Sequence, residues 1–249
     1  MKNKPEKIRA SVAMAVYEGE VYLKQQIDSI LNMMVDNDEL VISYNESKDN
    51  TFSIIQEYEK KDARVKVYID KKKSVESNFN NAVKMCEGEY IFLADQDDVW
   101  IDDKINKMVN YMKCNEDVVL LISDGLYVDE NLYVINESMF NRNHTTTNPI
   151  RNYIRGTYLG CQMAFKKELK CKVWPVKETH LMAHDLWLGV MASFYGQVHL
   201  MNDKLILHRI HADNCSNTRK LSLLNVIKSR MVFMWEIISR LYLNCKKKR

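Results

Sequence analysis

The sequence has 249 residues, 46% of them hydrophobic and 28% charged, which is enough apolar material for one large domain or two small ones. With 36 Lys+Arg against 33 Asp+Glu the net charge is only +3, too balanced to point to nucleic acid, and no nucleic-acid partner is expected. The six cysteines include no C-x-x-C pair and there are only seven glycines, which excludes a zinc or redox motif and a glycine-rich phosphate loop.

The first half of the chain alternates strand and helix patterns. Ile8–Val16 reads as a strand, Val21–Met33 as a helix with Leu23, Ile27, Ile30 and Leu31 on one face, and Glu39–Ser43 as the next strand. Ser47–Lys60 is helical, with Asp49 placed to cap it and Phe52, Ile55 and Tyr58 forming its stripe. Strands at Val65–Ile69 and Tyr90–Ala94 flank a helix at Ser77–Cys86; a helix at Asp102–Lys113 and a strand at Val118–Ile122 follow. This alternation predicts an α/β fold with a mostly parallel sheet covered on both faces. The order then loosens. Leu126–Ile135 reads as a hairpin, Asn141–Asn148 as a polar loop and Gln162–Phe165 as a strand. His184–Phe194 reads as a helix, Gln197–Met201 as a strand and Leu221–Leu243 as an amphipathic helix.

Ligands of open α/β sheets bind at the carboxyl ends of the strands. The fourth strand ends there in Asp95-Gln96-Asp97-Asp98-Val99-Trp100. Carboxylates this close repel one another unless a cation joins them. In an extended segment, alternation puts Asp95 and Asp97 on one side, facing an oxygen-loving ion such as Mg²⁺ or Mn²⁺. The plainer reading is a solvated turn, with Asp98 capping the next helix.

Five ordered segments carry a family resemblance: Tyr17-Glu18-Gly19-Glu20, Gln26-Ile27-Asp28-Ser29-Ile30-Leu31, Asp49-Asn50-Thr51, Asn78-Phe79-Asn80-Asn81-Ala82 and Phe92-Leu93-Ala94-Asp95-Gln96-Asp97-Asp98-Val99-Trp100. With His184-Asp185-Leu186-Trp187-Leu188 and His208-Arg209-Ile210-His211-Ala212-Asp213-Asn214, they resemble bacterial family 2 glycosyltransferases, particularly the rhamnosyltransferase-like subgroup. The resemblance implies a GT-A fold and inverting transfer from a nucleotide-diphosphate sugar, dTDP-rhamnose or a UDP-hexose. The acceptor it implies is a growing cell-surface polysaccharide or a lipid-linked oligosaccharide.

It also implies roles. Asp97 ligates Mn²⁺ or Mg²⁺, Asp95 contacts the ribose or the metal through water, and His211 completes the metal set. Asp185 is the general base, with capping of its own helix as the alternative. Ala15, Tyr17, Glu18, Asn78 and Gln96 lie along the nucleotide, Arg209 reaches the diphosphate, and Gly160, Cys161 and Gln162 border the donor sugar. Family members usually carry an acidic pair where Tyr44-Asn45 stands here. Asn45 can still hydrogen-bond base or ribose, but the departure motivates a second reading, a non-catalytic nucleotide- or glycan-binding relative.

From Arg219 to Arg249 nine basic residues face one acid, Glu236. The division expected is a catalytic domain at 1–218 and a basic amphipathic helix with its tail at 219–249. That helix either contacts an anionic membrane peripherally or packs on the domain. The charged start Met1–Lys7 with its short, interrupted apolar run does not read as a signal peptide, and the scattered cysteines read as reduced thiols, so a cytoplasmic protein, peripheral at the inner face of the membrane or free of it, is expected.

Overall fold

Residue pattern and strand pairing agree most simply in the first ninety-odd positions. The computed structural model describes residues 7–179, 183–212 and 223–246. Strands β1 (Ala10–Val16), β2 (Glu39–Asn45), β3 (Val65–Asp70) and β4 (Tyr90–Ala94) are parallel neighbours in the order β3-β2-β1-β4. Between them run α1 (Leu23–Leu31), α2 (Thr51–Lys61) and α3 (Val75–Met85). Every residue of β2 and β4 is buried, as near-continuous apolar strands must be when helices cover both faces.

Beyond β4 the sheet turns mixed. After the short β5 (Val99–Trp100) and α4 (Lys104–Cys114) come the long β6 (Val118–Val128), β7 (Val134–Asn136), α5 (Met139–Asn143) and α6 (Pro149–Arg155). Then follow β8 (Met163–Lys166), α7 (Lys167–Val173), α8 (His184–Ala192), β9 (Gln197–Arg209) and α9 (Leu223–Lys246). The nine-stranded sheet has the order β3-β2-β1-β4-β8-β6-β9-β5, with β7 paired to β6. β8 lies antiparallel between β4 and β6, β6 and β9 are parallel, and β5 is antiparallel to β9.

Alternate residues of β1 separate two cores. Val12 and Met14 pack with Ile27 of α1, Ile55 of α2 and Met108 of α4. Ala13 packs on the other face with Phe79 of α3, Trp187 of α8 and Phe233 of α9. The period-2 geometry of a strand makes this division unavoidable.

Several boundaries differ from the sequence reading. β6 does not stop at Ile122 but runs on to Val128, where it pairs antiparallel with β7; the hairpin expected at Leu126–Ile135 is there, its first arm being the end of this long strand. β9 continues past Met201 to Arg209; exposed Asn202-Asp203-Lys204 break the apolar pattern, and register shifts between β6 and β9 accommodate the bend. α5 occupies the start of the expected loop 141–148, and α6 and α7 are short helices that the pattern did not announce. The boundary at 218/219, together with Asp213, Asn214, Ser222 and the tail from Lys247, lies outside the described residues. Among the described residues no helix is long and apolar enough to cross a membrane.

Candidate active site

β1, β2 and β4 end level with one another: Val16 pairs with Tyr44, and Met14 with Ala94. The loops that follow these strands therefore meet at one carboxyl edge. The Gln96 side chain brackets the Tyr17 peptide, accepting from its N–H at 2.9 Å and donating to its C=O at 2.8 Å. A Cβ on Gly19 would stand 2.7 Å from Gln96 Oε1, so the close approach of these loops needs glycine there. Glu18 takes φ 47°, and its N–H donates to Ser47 Oγ at 2.9 Å, while the Gly19 N–H donates to Thr51 Oγ1 at 2.8 Å. Asp49 is not the cap expected of it, for Asn50 holds that position; it braces the turn before α2 instead, accepting from the Thr51 N–H at 3.1 Å and from the Glu20 N–H at 3.1 Å.

Residues 96 and 97 form a turn rather than an extended run. The expected alternation is thereby corrected: Asp95 and Asp97 diverge. Asp97 Oδ2 meets His211 Nε2 at 2.8 Å. The donor atoms of Asp95 instead lie within 4.8 Å of those of Asp98, Cys161 and His208. Asp98 Oδ1 meets His208 Nδ1 at 2.8 Å and accepts from the Arg209 N–H at 3.2 Å; its other oxygen, Oδ2, is buried with no partner among the described residues. Asp98 therefore caps no helix; the cap position of α4 belongs to Asp103.

These acids share a shortage of positive charge. Burial, then Asp98 and Asp97, push the Asp95 carboxyl up to about 8, and burial with Asp98 raises Asp97. Burial opposes charge on His208, yet Asp98 outweighs it and lifts the imidazole to about 9. Lys104, buried under the cluster, donates to the Cys161 carbonyl at 2.6 Å and lies 4.7 Å over the Trp100 ring; burial lowers its ammonium to about 8. An orphaned carboxylate oxygen and two destabilised carboxylates are the donor set a divalent cation fits, and their oxygens suit Mg²⁺ or Mn²⁺.

Arg209 is 2% exposed; its Nε donates to the Asp97 carbonyl at 2.9 Å and its Nη2 to Gln25 Oε1 at 2.6 Å, and its guanidinium stacks 4.4 Å from the Tyr22 ring. It acts as a strut for the acidic turn. Gln26 supports the same turn by donating to the Asp95 carbonyl at 2.9 Å. Gln26 opens one of the segments that carry the resemblance, but the support both glutamines give is not readable in the sequence, because each bonds a residue about seventy or more positions away.

Asp185 opens α8, half-buried, and its charge adds a small contribution to the rise of the Asp95 carboxyl. It is not the cap: Ala183 holds that position, and Asp185 Oδ1 accepts from the adjacent Leu186 N–H at 2.6 Å. Its place in the first turn suits a negative charge. His184 is turned inward, stacked 4.2 Å from Phe79, and burial lowers its pKa. A Cβ on Gly160 would come within 2.8 Å of His184 Nε2, which explains the small residue there.

The remaining expected contacts divide. Ala15 and the exposed Tyr17 sit at the end of β1, and Asn78 donates to the Val16 carbonyl at 3.1 Å while its buried Oδ1 has no partner among the described residues. Cys161 and Gln162 are buried and structural: the thiol lies 3.8 Å from His208 Nδ1, and the Gln162 amide donates to the Ser123 carbonyl at 2.9 Å. Asn45 also works inward, its Nδ2 donating to the Asp70 and Lys72 carbonyls at 2.9 and 2.7 Å. Tyr44 is buried against Phe52, its hydroxyl accepting from the Ser47 N–H at 2.8 Å.

Comparison with known proteins places this architecture. The family model described as "Glycosyl transferase family 2" matches residues 11–172. An uncharacterised glycosyltransferase of Methanocaldococcus jannaschii is 30% identical over 207 residues, covering 80% of this chain and 70% of that protein. The GalNAc(5)-diNAcBac-PP-undecaprenol beta-1,3-glucosyltransferase of Campylobacter jejuni is 28% identical over 110 residues, 43% of this chain and 35% of that one. Among solved structures, S. aureus TarS 1-349 in complex with UDP-GlcNAc superposes with a TM-score of 0.71 at 18% identity, covering 90% of this chain and 65% of that one, and shows the same GT-A fold. A matching family model over more than half its length, an ordered set of acids at the carboxyl edge and a shared architecture lead to one conclusion: the chain belongs to glycosyl transferase family 2.

Proposed function

We propose that this chain is an inverting, metal-dependent transferase that moves a sugar from a nucleoside-diphosphate sugar to a hydroxyl of a glycan or lipid-linked oligosaccharide. The observation that supports this reading is the gathering of acids at the sheet's carboxyl edge, where Asp97 Oδ2 meets His211 Nε2 and Asp95 clusters with Asp98, Cys161 and His208. Asp97 and His211 would hold Mn²⁺ or Mg²⁺, with Asp95 beside them. Bound there, the cation supplies charge neutralisation for the diphosphate leaving group. Asp185 takes the acceptor hydroxyl's proton as that oxygen attacks the anomeric carbon. Ala15, Tyr17 and Asn78 line the nucleotide's end of the edge, and Gln96 keeps the Tyr17 loop docked on the acidic turn.

Of the two donors, the UDP-GlcNAc complex of TarS supports a UDP-hexose over dTDP-rhamnose. The polyprenol-linked substrate in the Campylobacter protein's name supports a lipid-borne acceptor. Tyr44 and Asn45 brace loops from inside, so neither replaces the usual acidic pair, and the non-catalytic reading stays as the second one.

The test is hydrolysis of UDP-hexoses and dTDP-rhamnose without acceptor, with and without Mn²⁺. Metal-dependent release of the nucleoside diphosphate from one donor is the expected result. Tight, metal-independent binding without turnover would replace the enzyme with a binding protein.

A further inference from the structure

α9 lies against the domain through Phe233 and Ile237, which join the core shared with α8. Its opposite face should then be polar if it met only water. It is not: Ile227, Met231, Trp235, Ile238 and Tyr242 recur at helical spacing, each between 51% and 68% exposed. The stripe does not end with the helix. Arg230 Nη2 donates to the Ile154 carbonyl at 3.1 Å, and Tyr153 Oη donates to the Arg230 carbonyl at 2.5 Å, which brings α6 alongside. α6 adds Ile150 and Ile154, 70% and 59% exposed. Two helices distant in sequence thus present one apolar surface.

The charges around that surface have one sign. α6 exposes Arg151 and Arg155 beside its isoleucines, and α9 exposes Lys228 and Lys246. From Ser138 to Lys167 the sequence contains no acid, and the residues after Lys246 are Lys247-Lys248-Arg249. The lone acid of α9, Glu236, is paired with Lys177. A second copy of so uniformly basic a face would repel this one, whereas an anionic lipid surface matches both its apolar stripe and its cations.

We propose that the α6–α9 face is a membrane-docking surface that inserts shallowly into a bilayer rich in anionic headgroups. The face lies back to back with α8: Trp187 of α8 meets Phe233 of α9 at 5.6 Å, and Asp185 opens that same helix. Docking would bring the whole chain to the surface where a lipid-linked hydroxyl arrives; that consequence rests on the transferase reading, whereas the docking itself does not.

The test uses the full chain with vesicles of equal parts phosphatidylcholine and phosphatidylglycerol, and with phosphatidylcholine alone. Wild type is expected to co-sediment with the anionic vesicles, less so at high salt, and to leave the neutral ones. Trp100, Trp174 and Trp187 are buried, so a blue shift of tryptophan emission on binding would report Trp235. Met231→Glu, and separately the pair Arg151→Glu with Arg155→Glu, should each lower partition on the order of tenfold or more while leaving acceptor-free donor hydrolysis unchanged. Equal binding to both vesicle types, no effect of the α6 charge reversal, or a salt-stable dimer dissolved by Met231→Glu would overturn the proposal. Loss of hydrolysis in wild type with vesicle binding intact would overturn the transferase reading and leave the docking surface standing.

Discussion

The β3-β2-β1-β4 half and the half beyond β4 are built by different means. In the first, short parallel units end level, and their loops are locked by bonds between the segments 17–20, 47–51 and 96, largely through backbone N–H groups. In the second, long strands bend through register shifts, and side chains far apart in sequence meet: Asp98 with His208, Asp97 with His211, Lys104 with the Cys161 carbonyl. On the proposed reading the first half would form the edge for a nucleotide, and the second would bring in the groups that set charge and proton transfer. Folds can thus conserve a nucleotide frame while the chemistry is set by what crosses over from elsewhere.

Substitutions on the two sides of that divide should separate cleanly. Asp97→Ala removes the acid that His211 faces and should lower metal-dependent donor hydrolysis by about 10³-fold or more, with titration of Mn²⁺ by calorimetry showing loss of binding. Asp185→Asn should leave donor and metal affinity within about twofold and lower transfer to an acceptor on the order of 10²-fold, read as kcat against KM. If transfer persists at full rate, the base lies elsewhere. Arg209→Lys keeps the charge but not the geometry that reaches both the Asp97 carbonyl and Gln25; it should cost about 2–4 kcal/mol of stability, measured by denaturant unfolding. A strut in the second half should thus lower Tm, whereas an exposed change in the first, such as Lys24→Ala, should stay within about 0.5 kcal/mol.

The smallest effect is a pH dependence. Asp95 is raised to about 8 and His208 to about 9, so the folded chain keeps protons that the unfolded chain releases. Their contribution to stability is whole at acidic pH and fades as pH rises toward 9. Without metal, Tm should therefore fall from pH 5 to pH 8. Mn²⁺ should raise Tm more at pH 8 than at pH 5, because cation and protons compete for the same oxygens. A metal-free Tm that rises over this range would contradict the sign.

The same divide governs what was legible in the sequence. β1 to β4 and their helices follow from hydrophobic period, and the Asp95–Asp98 run stands out because its carboxylates are contiguous. Asp185 and His211 enter through resemblance; in the structure His211 Nε2 meets Asp97 Oδ2. The sequence could not show that residues 96 and 97 turn, because alternation assumes an extended chain. Nor could it show that Arg209, Cys161 and Gln162 are buried: a side chain's role as strut or ligand depends on neighbours supplied by distant segments. The apolar breadth of α9 is readable in its spacing, but its union with Ile150 and Ile154 is a product of the fold.

The most direct test is diffraction at the manganese absorption edge from crystals of the chain soaked with Mn²⁺ and UDP. The expected result is one anomalous peak about 2.0–2.6 Å from oxygens of the Asp97 carboxylate and the diphosphate, with His211 turned to it. A diphosphate bound at the sheet's edge with no ion between it and these acids would contradict the account.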